Sequence, residues 1–159
     1  MNVSANRLHD LSPMLVPDRD EGYLLRDVYE KGSLHNRTEI ILDFGDCSLC
    51  FGVDIDTDEI VPEFRKGMLR KSKALKSLAS SKPWSAYLGK GLGWTWLATN
   101  QQGYCDSAML SFADILPKVL LHAIGSSVRI FVLKDLDETQ QKPIEKKRKV
   151  TESRRDPDA

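Results

Sequence analysis

No stretch of this sequence comes near the ~18 consecutive apolar residues that a membrane-spanning helix needs. Cysteine is scarce, with three in 159 residues. An odd number cannot close completely into disulfides, and free thiols are ordinary in a reducing compartment. The first residues, MNVSANRLHDLSPML, lack a charged stretch followed by a long apolar run, so no secretory signal is expected. These absences together predict a cytoplasmic protein. Histidine is equally rare: His9, His35 and His122 are too scattered to complete a zinc site with Cys47 and Cys50. GxSxG, HExxH and a glycine loop opening a helix are all missing. Gly89 to Gly93 is glycine-rich, yet it leads into a strand pattern and offers no helix N-terminus to a phosphate. No catalytic residue and no cofactor is therefore expected, and the chain reads as a non-enzyme.

What is present suits a globular domain: 41% hydrophobic and 29% charged residues, at a length that can bury a core. The formal charge is zero, but it is segregated. Residues 1–63 hold fourteen acids against five bases, a net of −9. Residues 64–90 hold eight bases and no acid at all. An acidic first third followed by a basic insert is the strongest charge pattern in the chain.

Residues 1–20 read as a loose polar lead-in, 21–136 as a single domain with a basic insert at 62–82, and 137–159 as a disordered charged tail. Within the domain, YLLRDVY (23–29), EIILDF (39–44) and CSLCFGVDI (47–55) read as strands, the last two joined through Gly45-Asp46. The insert carries a weak helical stripe and reads as a marginal helix or a loop. Ile115–Ile124 is apolar nearly all round, with Asp114 as a cap and Gly125 as a stop. It predicts a short buried helix containing His122. VRIFVL (128–133) reads as a last strand. The fold class expected is α+β: a mainly antiparallel sheet of five or six strands with a short buried helix. Its expected core is Ile41, Leu49, Phe51, Trp94, Trp96, Leu110, Phe112, Leu120 and Ile130.

The stretch GWTWLATNQQGYCDS (93–107) predicts a hairpin. A three-residue loop, Gln101-Gln102-Gly103, pairs Asn100 with Tyr104. Continued without interruption, that register pairs Trp96 with Ala108 and Trp94 with Leu110. Both tryptophans then face the core beside Phe112, with Asp106 as a candidate indole acceptor. The tip displays Asn100, Gln101, Gln102 and Tyr104 where binding residues often sit.

Other clusters are weaker. Asp54, Asp56 and Asp58 imitate the start of a calcium loop, but Glu59 replaces the glycine and Arg65 the bidentate glutamate. An acidic strand face is the simpler reading, and a divalent-metal site at these residues with Asp106 is the alternative. Cys47 and Cys50 lie in a strand pattern, where residues three apart face opposite ways. The insert, with Lys71, Lys73 and Lys76, can attract a partner or nucleic acid, or pair with the acidic stretch of its own chain. KKRKV (146–150) looks like a nuclear-import signal, although a solvated basic tail is the simpler reading.

LGKGLGWTWLATNQQGYCDSAMLSF and VLLHAIGSSVRIFVL resemble a family of small uncharacterised bacterial proteins with a GWxWxxxNxQGYxD core. CSLCFGVDIDTDEI is similar to the strands before that core. The resemblance covers about residues 22–134 and implies a domain of unknown function of bacterial type, with no catalytic residues to transfer. The leading functional expectation is a non-enzymatic module that binds another protein, of a size that fits a bacterial immunity or accessory protein. A metal-binding protein or small metal-dependent enzyme is the first alternative, and nucleic-acid association through 64–82 the second. No membrane partner is expected.

Overall fold

Short β-branched and aromatic runs separated by glycine turns fold here as strands throughout. The computed structural model describes residues 22–134, so the lead-in 1–20 and the charged tail 137–159 with its KKRKV run lie outside the described residues. Five strands form the first sheet: β1 (Asp27–Ser33), β2 (Asn36–Asp43), β3 (Cys47–Asp54), β4 (Glu59–Lys66) and β5 (Leu75–Ser77). Their order is β4-β3-β2-β1-β5. Four more form the second, in the order β6-β7-β8-β9: β6 (Leu92–Thr99), β7 (Cys105–Phe112), β8 (Val119–Ile124) and β9 (Ser127–Val132). Every pairing is antiparallel. Among the described residues one 3₁₀ turn, Trp84–Ala86, lies between the sheets in sequence.

The α+β expectation is therefore corrected to an all-β fold of two antiparallel sheets. Ile115–Ile124 is not a helix; its second half is β8. Val119, Leu121 and Ala123 are buried in the core, while Leu120, His122 and Ile124 alternate to the other face. Gly125 is a hairpin turn residue rather than a helix stop. Gly125 and Ser126 both have positive φ, at 55° and 59°, the geometry that a two-residue turn between twisted strands requires. The segment is apolar all round because its outer face is apolar too, and periodicity cannot then separate strand from helix.

One core joins the inner faces of the two sheets. Val28, Ile40, Leu42, Leu49, Phe51 and Ile60 from the first meet Ala108, Leu110, Phe112, Val119, Leu121 and Val128 from the second. The large aromatic at its centre is Trp84, only 1% exposed, edge-on to Phe112 with ring centroids 6.4 Å apart. Pro62 falls within β4, which tolerates it as an edge strand. A buried ion pair crosses the first sheet: Arg37 holds Glu30 through Nε at 2.7 Å and Nη2 at 2.6 Å. Arg37 Nη1 also donates to the Val128 carbonyl at 3.4 Å, reaching from β2 to β9.

The basic insert is neither a helix nor separate from the fold. It gives the end of β4, then β5, and between them it covers the outer face of the first sheet. Leu69 and Leu75 pack on Tyr29, Ile41 and Cys50, and Lys71 Nζ stands 5.2 Å from the Tyr29 ring centroid. No helix among the described residues is long and apolar enough to cross a membrane.

The alternation in β8 sets a direct comparison. Leu121→Ala is expected to destabilise by about 2–5 kcal/mol, as a deleted core side chain does. Leu120→Ala, on the outer face, should cost about 1 kcal/mol or less. Urea unfolding of the two variants checks this, and equal large costs would contradict it. Burial also pushes the Cys50 thiol up to about 12 from its ordinary value of 9. Below pH 9 the thiol is neutral in both folded and unfolded chains. Above it the unfolded thiol ionises first, so stability is lost as pH rises from 9 toward 12. Because all three thiols are buried, Ellman's reagent near pH 8 should react only on unfolding. A thiol that reacts at once in the native chain would contradict this.

Candidate functional site

The loops at one end of both sheets come together around a cleft of about 530 Å³. Its polar lining joins Asp56, Thr57 and Asp58 from the β3–β4 turn to Asn100, Gln102 and Tyr104 from the β6–β7 tip, with Asp106 and His122 from β7 and β8. The turns are fastened to each other. Asp58 Oδ1 accepts the Ser126 N–H at 2.5 Å, and Glu59 Oε1 accepts the Cys105 N–H at 3.1 Å. Asp58 itself has positive φ, 54°, which a short polar side chain tolerates.

The tip forms as the sequence predicts. Asn100 N–H donates to the Tyr104 carbonyl at 2.8 Å, and Gly103 N–H to the Asn100 carbonyl at 2.9 Å. The Asn100 side chain is occupied at both ends. Its Oδ1 accepts the N–H groups of Gln102 and Tyr104, at 2.9 and 3.2 Å, and its Nδ2 donates to Asp106 Oδ2 at 3.2 Å.

Immediately beyond the tip, the predicted register fails. Thr99 pairs with Cys105, but Ala98 pairs with Ser107, leaving Asp106 as one extra residue on β7. The pairs that follow are Leu97 with Ala108, Trp96 with Met109 and Thr95 with Leu110. A slip of one residue turns every side chain of β6 over. Thr95 and Leu97 face inward, and Trp94 and Trp96 face outward, with Trp94 48% exposed. The expectation that both tryptophans fill the core, with Asp106 as indole acceptor, is thus corrected. A second bulge restores the pairing of Leu92 with Phe112. There Gly93 and Trp94 oppose Ser111, whose Oγ accepts the Trp94 N–H at 2.6 Å. Glycine is required at 93, since a Cβ would stand 2.4 Å from the Asp114 carbonyl oxygen.

Asp106, Ser107 and His122 form a network around the first bulge. Ser107 Oγ donates to Asp106 Oδ1 at 2.9 Å and lies 2.7 Å from His122 Nδ1, which is also 3.0 Å from the Asp106 carbonyl. With the hydroxyl proton directed at Asp106, His122 Nδ1 carries the proton and donates. Serine and aspartate thus meet the same ring nitrogen. A hydrolytic triad needs them on opposite nitrogens, so this geometry does not relay a proton from serine to aspartate.

Of the predicted site residues, Asp56, Asp58, Asn100, Gln102, Tyr104 and Asp106 share this cleft. Asp54, Gln101, Lys71, Lys73 and Lys76 do not line it. Asp54 Oδ1 closes its own turn by accepting the Asp56 N–H at 2.9 Å. Among the described residues, no group of three or more His, Cys, Asp or Glu is placed to hold a metal ion. The insert is partly turned inward: Lys76 Nζ is 3.5 Å from Glu30, and Arg65 bridges Glu39 at 2.7 Å and Glu63 at 2.5 Å. Sequence reasoning missed His122, Thr57 and Gly125 as cleft residues. The Gly-Ser pair ahead of VRIFVL was the available hairpin signal.

A family model described as a family of unknown function (DUF6334) matches residues 18–137. No curated protein and no solved structure matches the chain.

The tip geometry makes Asn100 structural. Asn100→Ala should lower stability by about 1–2 kcal/mol, since it removes the acceptor of two tip N–H groups and the amide donor to Asp106. Gln101→Ala and Gln102→Ala should stay within about 0.5 kcal/mol. Urea midpoints decide, and a silent Asn100→Ala would contradict the assignment.

Proposed function

The chain belongs to the DUF6334 family, whose function is unknown, and on the geometry of its loop end we propose that it is a non-enzymatic protein-binding module that receives a basic group of its partner. One observation carries the reading. Asp56, Asp58 and Asp106 line the cleft together with amide and hydroxyl groups, and no Lys or Arg is among its lining residues. Low-dielectric walls and carboxylates of one sign attract a cation and steer its approach. The cleft is built from loop tips on a rigid pair of sheets, where recognition residues are commonly displayed. A protein is favoured over nucleic acid because Lys71 and Lys76 of the basic insert already serve Tyr29 and Glu30. A cytoplasmic location is part of the proposal, supported by three buried cysteines that form no disulfide with one another. A bacterial immunity or accessory role lies within it.

The experiment is a titration of the ¹⁵N-labelled full chain with short peptides that carry Arg and Lys, or Asp and Glu, at equal length. The basic peptide should shift the amides of 56–58 and 100–104, and added salt should weaken the effect. Asp56→Asn should weaken binding roughly two- to fivefold, the scale of an exposed ion pair. Shifts with the acidic peptide alone, or none at the loop end, would contradict the proposal.

A further inference from the structure

The two sheets treat their outer faces differently. The first sheet has Leu69 and Leu75 of its own chain laid over Tyr29, Ile41 and Cys50. The second has no such cover among the described residues. Pairing places Trp96, Met109, Leu120 and Phe131 in one row across all four strands, on the side away from the core. Trp94 extends the row along β6, its ring stacked with Trp96 at 6.4 Å between centroids. Phe131 is 44% exposed at the opposite edge. The neighbouring row is Ala98, Ser107, His122 and Arg129.

We propose that this face docks a partner protein that sets a carboxylate among aliphatic side chains. Contiguous exposed apolar surface on a small soluble domain marks an interaction site. Trp, Phe, Met and Arg are the residues enriched at protein interfaces, and Trp and Arg dominate their binding energy. Charge chooses the occupant. Arg129 is partly buried in this face and has no ion-pair partner among the described residues. The two rows hold no carboxylate of their own, and the Asp106 carboxylate beside them is already taken by Asn100 and Ser107. A second copy would therefore bring the same uncompensated cation and nothing to neutralise it. One arginine is also too little to follow a nucleic-acid backbone. The proposal stands on the sheet face and not on the acidic cleft beyond His122.

A phage-displayed random peptide library, selected on the full chain, tests it. The expected result is enriched peptides that combine aliphatic residues with Asp or Glu. Their affinity should fall about tenfold or more with Phe131→Ser and with Arg129→Glu. Both positions lie on the edge strand β9, and circular dichroism checks that each variant folds. Selection on Arg129→Glu should exchange the acids of the peptides for Lys or Arg. Four results would overturn the proposal: no enrichment, peptides without acids, binding that survives both substitutions, or a dimer in sedimentation that Phe131→Ser dissolves.

Discussion

Asp106 is one residue too many for the strand opposite, and the arrangement of the second sheet follows from that mismatch. Its carboxylate receives Asn100 Nδ2 and Ser107 Oγ, and its carbonyl lies 3.0 Å from the His122 imidazole. The bulge is thus held by the tip on one side and by β8 on the other. Its effect reaches as far as Trp94, because a single skipped partner turns over every side chain of β6 between the two bulges. Core packing agrees with the shift. Trp84 fills the interior with Phe112, and Tyr87 stacks on the same ring at 4.7 Å between centroids. Ser111, fully buried, accepts the Trp94 N–H where the second bulge returns β6 to its original phase.

Much of the fold was legible in local pattern. Glu39–Phe44 and Cys47–Ile55 read as a hairpin because β-branched runs flank Gly45-Asp46, and β2 and β3 pair there. The inward side of β7 was also legible, since Ala108, Leu110 and Phe112 alternate cleanly with Met109 and Ser111. β6 was not. Its two faces, Trp94/Trp96 and Thr95/Leu97, compete on hydrophobicity alone, and the larger side chains are the ones outside. The bulge has no strong signature: its extra residue is an ordinary aspartate, and its carbonyl is met by His122 from the next strand, sixteen residues on. β8 was illegible for a related reason: a strand with an apolar outer face has no period to read.

Long-range assembly explains what the candidate site added. Asp56 to Asp58 and Asn100 to Tyr104 are far apart in sequence, and each was a plausible but isolated surface cluster. The contact of Asp58 with Ser126, and of Glu59 with Cys105, sets them around one cleft. The same packing consumed features that looked available for binding. Arg65 and Lys76 answer Glu39, Glu63 and Glu30 within the chain, so part of the segregated charge is matched internally. Two surfaces remain differentiated: an acidic loop end shared by both sheets, and an aromatic face of the second sheet with a single arginine.

The bulge at Asp106 shifts the β6–β7 register and turns the tryptophans outward. Cross-strand nuclear Overhauser contacts in the labelled full chain test it most directly. Backbone contacts should pair Trp96 with Met109 and Thr95 with Leu110. Contacts pairing Trp96 with Ala108 and Trp94 with Leu110 would contradict it.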